Sequence, residues 1–310
     1  MKKFILFLAV SFSTAVFAQE KKFTTEEVSV DPMLNGTLYK PEKISKKTNL
    51  VILIQGSGIP DRDGNQPGAT HNSSKFLSEG LASKDIAVYA YDKRAIAQIK
   101  KGDVAEEDAN FDDAIADAKQ IFDFFKSKKQ FNKIIFAGHS EGSLIGMIAS
   151  KEKADGFISL AGAGRPIDEI LEEQVAKQAP FLKNETRKYL DTLKSGQTFV
   201  LKNKMLSALF RESVQPYLIS WFKYDPRIEI KKLQIPVLII NGTKDLQVPE
   251  SDAKLLHEAS PKSELVLIEN MNHVFKEIKQ DSDNAKSYNN PELPVMPELI
   301  EKIATFTKKI

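Results

Sequence analysis

The pentapeptide Gly138-His139-Ser140-Glu141-Gly142 sets one hydroxyl between two glycines, after the apolar run "KIIFA" and before "SLIGMIAS". A serine hydroxyl is a weak nucleophile until a base takes its proton. Glycine two residues to either side lets such a serine occupy an unfavourable backbone conformation at the apex of a tight turn. The hydroxyl then projects from a helix N-terminus, and the amide of the next residue, Glu141, can face a developing oxyanion. An inert Gly/Ser joint between strand and helix is the competing reading.

The base must be one of four histidines. His139 adjoins Ser140, and the turn should direct its ring away from the hydroxyl. His257, in "SDAKLLHEA", sits on an amphipathic helix, and His71, in "GATHNSSKF", suits a helix start. His273 is the best placed, in "ENMNHVF" just beyond the apolar run "ELVLI". A carboxylate should hold its tautomer and stabilise the imidazolium. Asp245 follows the end of "VLIING" in a glycine-containing turn; Glu269 and Asp252 compete for the role. A second oxyanion donor should come from "VILIQGSGIPDRDGNQPG", where Gly56 and Gly58 permit close backbone approach. The Ser57 amide is the candidate, with Gly58 as the alternative. In the same loop Asp61, Arg62 and Asp63 read as a stabilising charge cluster, and Arg94 of "AYDKR" is placed to pair with Asp61 or Asp63.

These residues need a scaffold. "LVILIQG", "IAVYAYD", "KIIFAG", "GFISLAG", "PVLIING" and "ELVLIEN" are short continuous apolar runs, as strands buried on both faces require. Helical patterns separate them, the strongest being "NFDDAIADAKQIFDFFKSK", with Phe111, Ile115, Ala118, Ile121, Phe122 and Phe125 along one face. Before the first run, "FTTEEVSV" and "NGTLYKP" predict an antiparallel hairpin at a sheet edge. Residues 167–232 hold no strand-like run and are helical in pattern. A segment so long cannot be a structureless loop in a compact domain, so it is read as a helical cap over the strand ends. Trp221 and Phe222, near its exit, are assigned to packing. The α/β core is then expected over residues 19–166 and 233–310.

Composition excludes several classes. Charges nearly cancel, with 44 basic and 42 acidic residues, which argues against nucleic-acid binding. There is no cysteine, so disulfides, thiol catalysis and Cys-ligated zinc are excluded together. Lys2 and Lys3 precede the apolar run "FILFLAVSFSTAVFA", and Val16-Phe17-Ala18 fits a small-residue cleavage signal. Residues 1–18 are therefore expected to be a signal peptide, implying a secreted or bacterial periplasmic protein with no membrane span after cleavage.

With these motifs assembled, the chain resembles the α/β-hydrolase superfamily, and within it the serine carboxylesterases carrying "QGSG…DRDGN", "YDKR" and "GHSEG". The resemblance runs over residues 23–309. It implies a mostly parallel, twisted eight-stranded sheet flanked by helices, with the cap inserted before the strand that precedes Asp245. It also implies cofactor-free hydrolysis of small-molecule carboxylic esters by Ser140, Asp245 and His273, which follow the superfamily's order of nucleophile, acid and base. Ser57 and Glu141 become the oxyanion hole. Gln55 stands where many members have histidine, and Ala95 and Ser143 where relatives often have glycine. A serine peptidase or acyltransferase would use the same triad, and a non-catalytic ligand-binding protein could share the scaffold. Oligomeric state is left open.

Overall fold

The computed structural model describes residues 22–310 other than 104 and 152, and the expected signal peptide lies outside them. Eight strands form one sheet: β1 (Phe23–Asp31), β2 (Leu34–Pro41), β3 (Leu50–Ile54), β4 (Ala87–Tyr91), β5 (Ile134–His139), β6 (Gly156–Leu160), β7 (Val237–Gly242) and β8 (Glu264–Ile268). Their spatial order is β1-β2-β4-β3-β5-β6-β7-β8. β1 and β2 make the expected antiparallel hairpin at one edge, and β2 runs antiparallel to β4. All later pairings are parallel.

The continuous apolar runs follow from a sheet covered on both faces. Along β3, Leu50, Ile52 and Ile54 enter the core on one side, while Val51 and Leu53 enter the core on the other. β4 and β5 alternate in the same way, with Tyr89 and Phe136 on the first side and Val88 and Ile135 on the second. Helices supply the covering layers: α1 (Ser73–Ala82), α2 (Arg94–Lys101), α3 (Phe111–Lys128) and α4 (Glu141–Ser150). On α3 the six residues of the predicted stripe are all buried. Asn110 caps its N-terminus by accepting from the Asp112 amide at 2.9 Å, and Lys126 and Lys128 sit in its last turn, where the helix dipole favours cations.

Between β6 and β7 the chain is helical: α5 (Ile167–Gln178), α6 (Lys183–Lys194), α7 (Ser207–Phe210), α8 (Gln215–Trp221) and α9 (Pro226–Lys231). The irregular stretch after α6 is stitched down by the fully buried Gln215, whose amide exchanges hydrogen bonds with the Phe199 backbone and donates to the Phe210 carbonyl. α8 is anchored to α3. The Ser220 hydroxyl accepts from the Phe111 amide at 2.8 Å, and Trp221 stacks on Phe111 at 5.3 Å, which is the packing role expected of that tryptophan. The chain ends with α10 (Glu250–Ala259), α11 (Asn284–Ser287) and α12 (Pro297–Lys309). Among the described residues no helix is long and apolar enough to cross a membrane.

Candidate active site

β5 delivers Ser140 at its C-terminal end, and the serine has φ 53° and ψ −119°. Few non-glycine residues hold such a conformation without compensation from their surroundings. The compensation here is steric. A Cβ on Gly138 would lie 2.0 Å from the Gly142 carbonyl oxygen, and one on Gly142 would lie 2.5 Å from the Ile54 carbonyl oxygen. Both glycines are therefore obligatory, and α4 starts tight against the end of β3. The Glu141 amide belongs to the first turn of α4, where no intrahelical acceptor exists. Opposite, the chain at Gly56 comes so close that a Cβ there would stand 3.2 Å from Ser140 Cβ. Ser57 follows, exposed at the start of its loop.

Asp245 lies just after β7 and His273 just after β8, and the two meet. His273 Nδ1 donates to Asp245 Oδ2 at 2.8 Å, with both side chains buried. The other carboxylate oxygen, Oδ1, accepts from the Gln247 and Val248 amides at 2.8 and 2.9 Å. The carboxylate is thus held from both ends, and Nε2 of His273 is left as the basic nitrogen. The competing acids are accounted for: Asp252 is fully buried beneath Arg165 and the Gly164 amide, and Glu269 is exposed.

The other histidines separate cleanly. The His257 ring bonds the Ser263 hydroxyl on α10, and His71 Nδ1 accepts from the Ser73 amide at the start of α1. Burial pushes the His71 imidazole down to about 4. His139 is turned from the hydroxyl, as expected, yet it is not idle. Its Nε2 lies 2.9 Å from the His273 carbonyl oxygen, and its ring packs 4.7 Å from that of His273. A carbonyl only accepts, so His139 is the Nε2–H tautomer. Burial first, then the neighbouring His273, holds it well below the ordinary imidazole range and therefore neutral.

One expected pairing is wrong. Arg94 does not reach Asp61 or Asp63; it opens α2 and forks onto Asp117 of α3. Arg62 makes the brace instead, with its amide and guanidinium bonding both oxygens of Asp92 at 2.8–3.1 Å and its other arm reaching Glu27. Both arginines are near acids in sequence, and only the crossing of the loop over β4 decides between them. Asp61 in turn accepts from the Asp63 and Asn65 amides. Gln55, in the place where histidine was noted, accepts from the Ser74 hydroxyl and donates to the Arg62 carbonyl, fixing the loop to α1. The extra bulk of Ser143 is absorbed by a 2.8 Å bond to Ser159.

Two further groups escaped sequence reasoning. The Glu141 carboxylate, expected to be secondary to its amide, is buried and bonded to Lys93 Nζ at 2.6 Å. Lys93 of "YDKR" thereby fixes the residue after Ser140. Asn272, fully buried, accepts from the Val274 and Lys276 amides and donates to Asn284 and Ser287. An Asn in a loop is a usual signal of such a side-chain turn. Among the described residues no group of three or more His, Cys, Asp or Glu side chains could hold a metal ion.

The eight-stranded sheet with its flanking helices superposes on those of known proteins. Est1E from Butyrivibrio proteoclasticus superposes with a TM-score of 0.56 at 17% identity, over 92% of this chain and 96% of that one. A dienelactone hydrolase from Anabaena variabilis superposes at 0.52, with 15% identity over 92% and 97% of the two chains. The chain has the α/β-hydrolase fold. Within that fold, a family model described as serine aminopeptidase, S33, matches residues 69–215, which include the elbow and much of the helical insertion. The esterase EstD of Thermotoga maritima is 28% identical over 273 residues, covering 84% of this chain. The match takes in 62% of the length of EstD.

Proposed function

We propose that this α/β hydrolase cleaves carboxylic esters through an acyl-enzyme on Ser140. The observation that carries the reading is the buried Asp245–His273 pair, packed against His139 next to a serine held at positive φ. Ser140 Oγ attacks the ester carbonyl carbon while His273 Nε2 takes its proton, and Asp245 stabilises the resulting imidazolium. The Ser57 and Glu141 amides receive the oxyanion of the tetrahedral intermediate. His273 returns the proton to the leaving alkoxide, and the alcohol departs. Water then attacks the acyl-enzyme with His273 again as base, releasing the acid and free Ser140. The likeness to EstD supports ester substrates.

Residues 167–232 act as the cap over this centre, and residues 1–18 direct export. The test is hydrolysis of p-nitrophenyl acetate together with labelling by a fluorophosphonate. Ser140→Ala should abolish labelling and lower kcat by about 10⁴-fold or more; near-full activity in that variant would overturn the assignment. The serine aminopeptidase family match favours a second reading, peptide cleavage by the same residues. Faster turnover of aminoacyl p-nitroanilides than of simple esters would establish it instead.

A further inference from the structure

We propose that a cavity of about 480 Å³ beside the oxyanion loop is the acyl-binding site, and that it selects neutral, apolar acyl groups well beyond acetyl in size. The inference rests on the hydrolase reading above and adds the substrate class. Position is the first argument. Gln55 and Gly58, which bracket the Gly56–Ser57 segment abutting Ser140, both form part of its wall, as does Ile145 on the helix that the nucleophile opens. An acyl chain whose carbonyl lies between the two oxyanion amides has this space directly beside it.

The lining is the second argument. Tyr91, Ala114, Ile145, Val214 and Tyr217 make its walls apolar, with α3 and the helical insertion on facing sides. Three cations also line it, and each already has a carboxylate. Lys93 is bonded to Glu141, Arg94 to Asp117, and Arg211 to Glu106. The remaining wall carboxylates are Asp113, 3.5 Å from Arg94, and Asp108, exposed to solvent. An anionic acyl group entering here would lose hydration without gaining a free cation.

Size is the third. Cavities of ~300–1,000 Å³ bury drug-sized ligands, and each methylene buried in an apolar wall strengthens binding roughly fourfold. Acetyl would use little of that. The experiment measures kcat/KM of the full chain on p-nitrophenyl acetate, octanoate, phenylacetate and the anionic hemisuccinate. Octanoate or phenylacetate should exceed acetate by about tenfold or more, and the hemisuccinate should fall below acetate.

Ala114→Trp on α3 and Val214→Trp on the facing side each fill the cavity, and each should lower the octanoate-to-acetate ratio by about tenfold. An unchanged ratio in either variant that folds, or preference of the wild-type chain for the hemisuccinate, overturns the proposal. Absence of Ser140-dependent activity on every ester would instead overturn the hydrolase reading, so the two failures are distinguishable.

Discussion

The elbow that carries Ser140 and the loop that carries His273 solve the same problem by different physics. The elbow is held by exclusion: two glycines admit backbone where any side chain would collide, and one buried ion pair, Lys93–Glu141, fixes the residue behind Ser140. The His273 loop is held by hydrogen bonds. Asn272 organises it from inside, the Asn270 amide donates to the Thr243 hydroxyl, and Phe275 adopts φ 67° to close the turn. A steric device is all-or-none, whereas a hydrogen-bonded one can lose a member and persist. The two meet at a single bond, His139 Nε2–H to the His273 carbonyl.

The largest effect should come from the steric side. Gly138→Ala drives a Cβ into the Gly142 backbone, which has no flexible side chain to move aside. Destabilisation should reach or exceed the upper end of the ~1–3 kcal/mol that overpacking costs. Urea unfolding reads it, and a loss below about 1 kcal/mol would mean that the elbow tolerates relaxation after all. Lys93→Met comes next, because it leaves the Glu141 carboxylate buried without its cation. The expected cost is about 3 kcal/mol, and adding Glu141→Gln should recover most of it. Equal stability of the single and double variants would show that the pair contributes little.

The hydrogen-bonded loop should respond more gently and more specifically. Asn272→Ala strands the Val274 and Lys276 amides, each costing up to ~1–3 kcal/mol if no water replaces the acceptor. Because the loop carries the proposed base, kcat should fall with KM little changed. Asn272→Asp, which keeps both acceptor bonds, should restore part of the activity. His139→Phe keeps the ring contact and deletes the link to His273. A net hydrogen bond of ~0.5–1.5 kcal/mol predicts a two- to tenfold fall in kcat. A larger fall would make His139 part of the proton path and not a strut.

The same contrast decides what could be read from the sequence. Five of the six parallel strands were legible because burial on both faces writes continuous apolar runs, as in Leu50–Ile54, whereas β8 at the sheet edge is only half-buried. The elbow was legible because its steric demands fall within five residues, Gly138 to Gly142. Lys93–Glu141 was not, since its partners lie 48 residues apart and nothing local marks either as paired. Arg94 was misassigned for a related reason: a guanidinium's partner depends on where its helix points, and α2 aims it at α3 and not at the Asp61 loop. Asn272 and His139 looked like ordinary turn and flanking residues until the two loops were brought together.

Lys276 offers the finest test, since it sits three residues beyond His273 with its side chain fully buried. Its ammonium bonds the Leu293 carbonyl and lies 4.8 Å over the Phe76 ring, and burial pushes its pKa down to about 8. In the unfolded chain the ordinary value of 10.5 applies. Between those values the unfolded state binds more protons than the folded one, so this group makes stability rise with pH from about 8 to 10.5. Below pH 8 both states are protonated and its contribution is flat. Its neighbours stay silent in that window, with His71 titrating near 4 and Tyr288 pushed up to about 12 by burial. Lys276→Met should therefore remove the rise, so that the stability difference between variant and wild type changes across pH 8–10 and is constant across pH 6–7.5. Identical slopes for the two proteins in urea unfolding would mean that the lysine keeps its solvent contact and that the loop breathes around it.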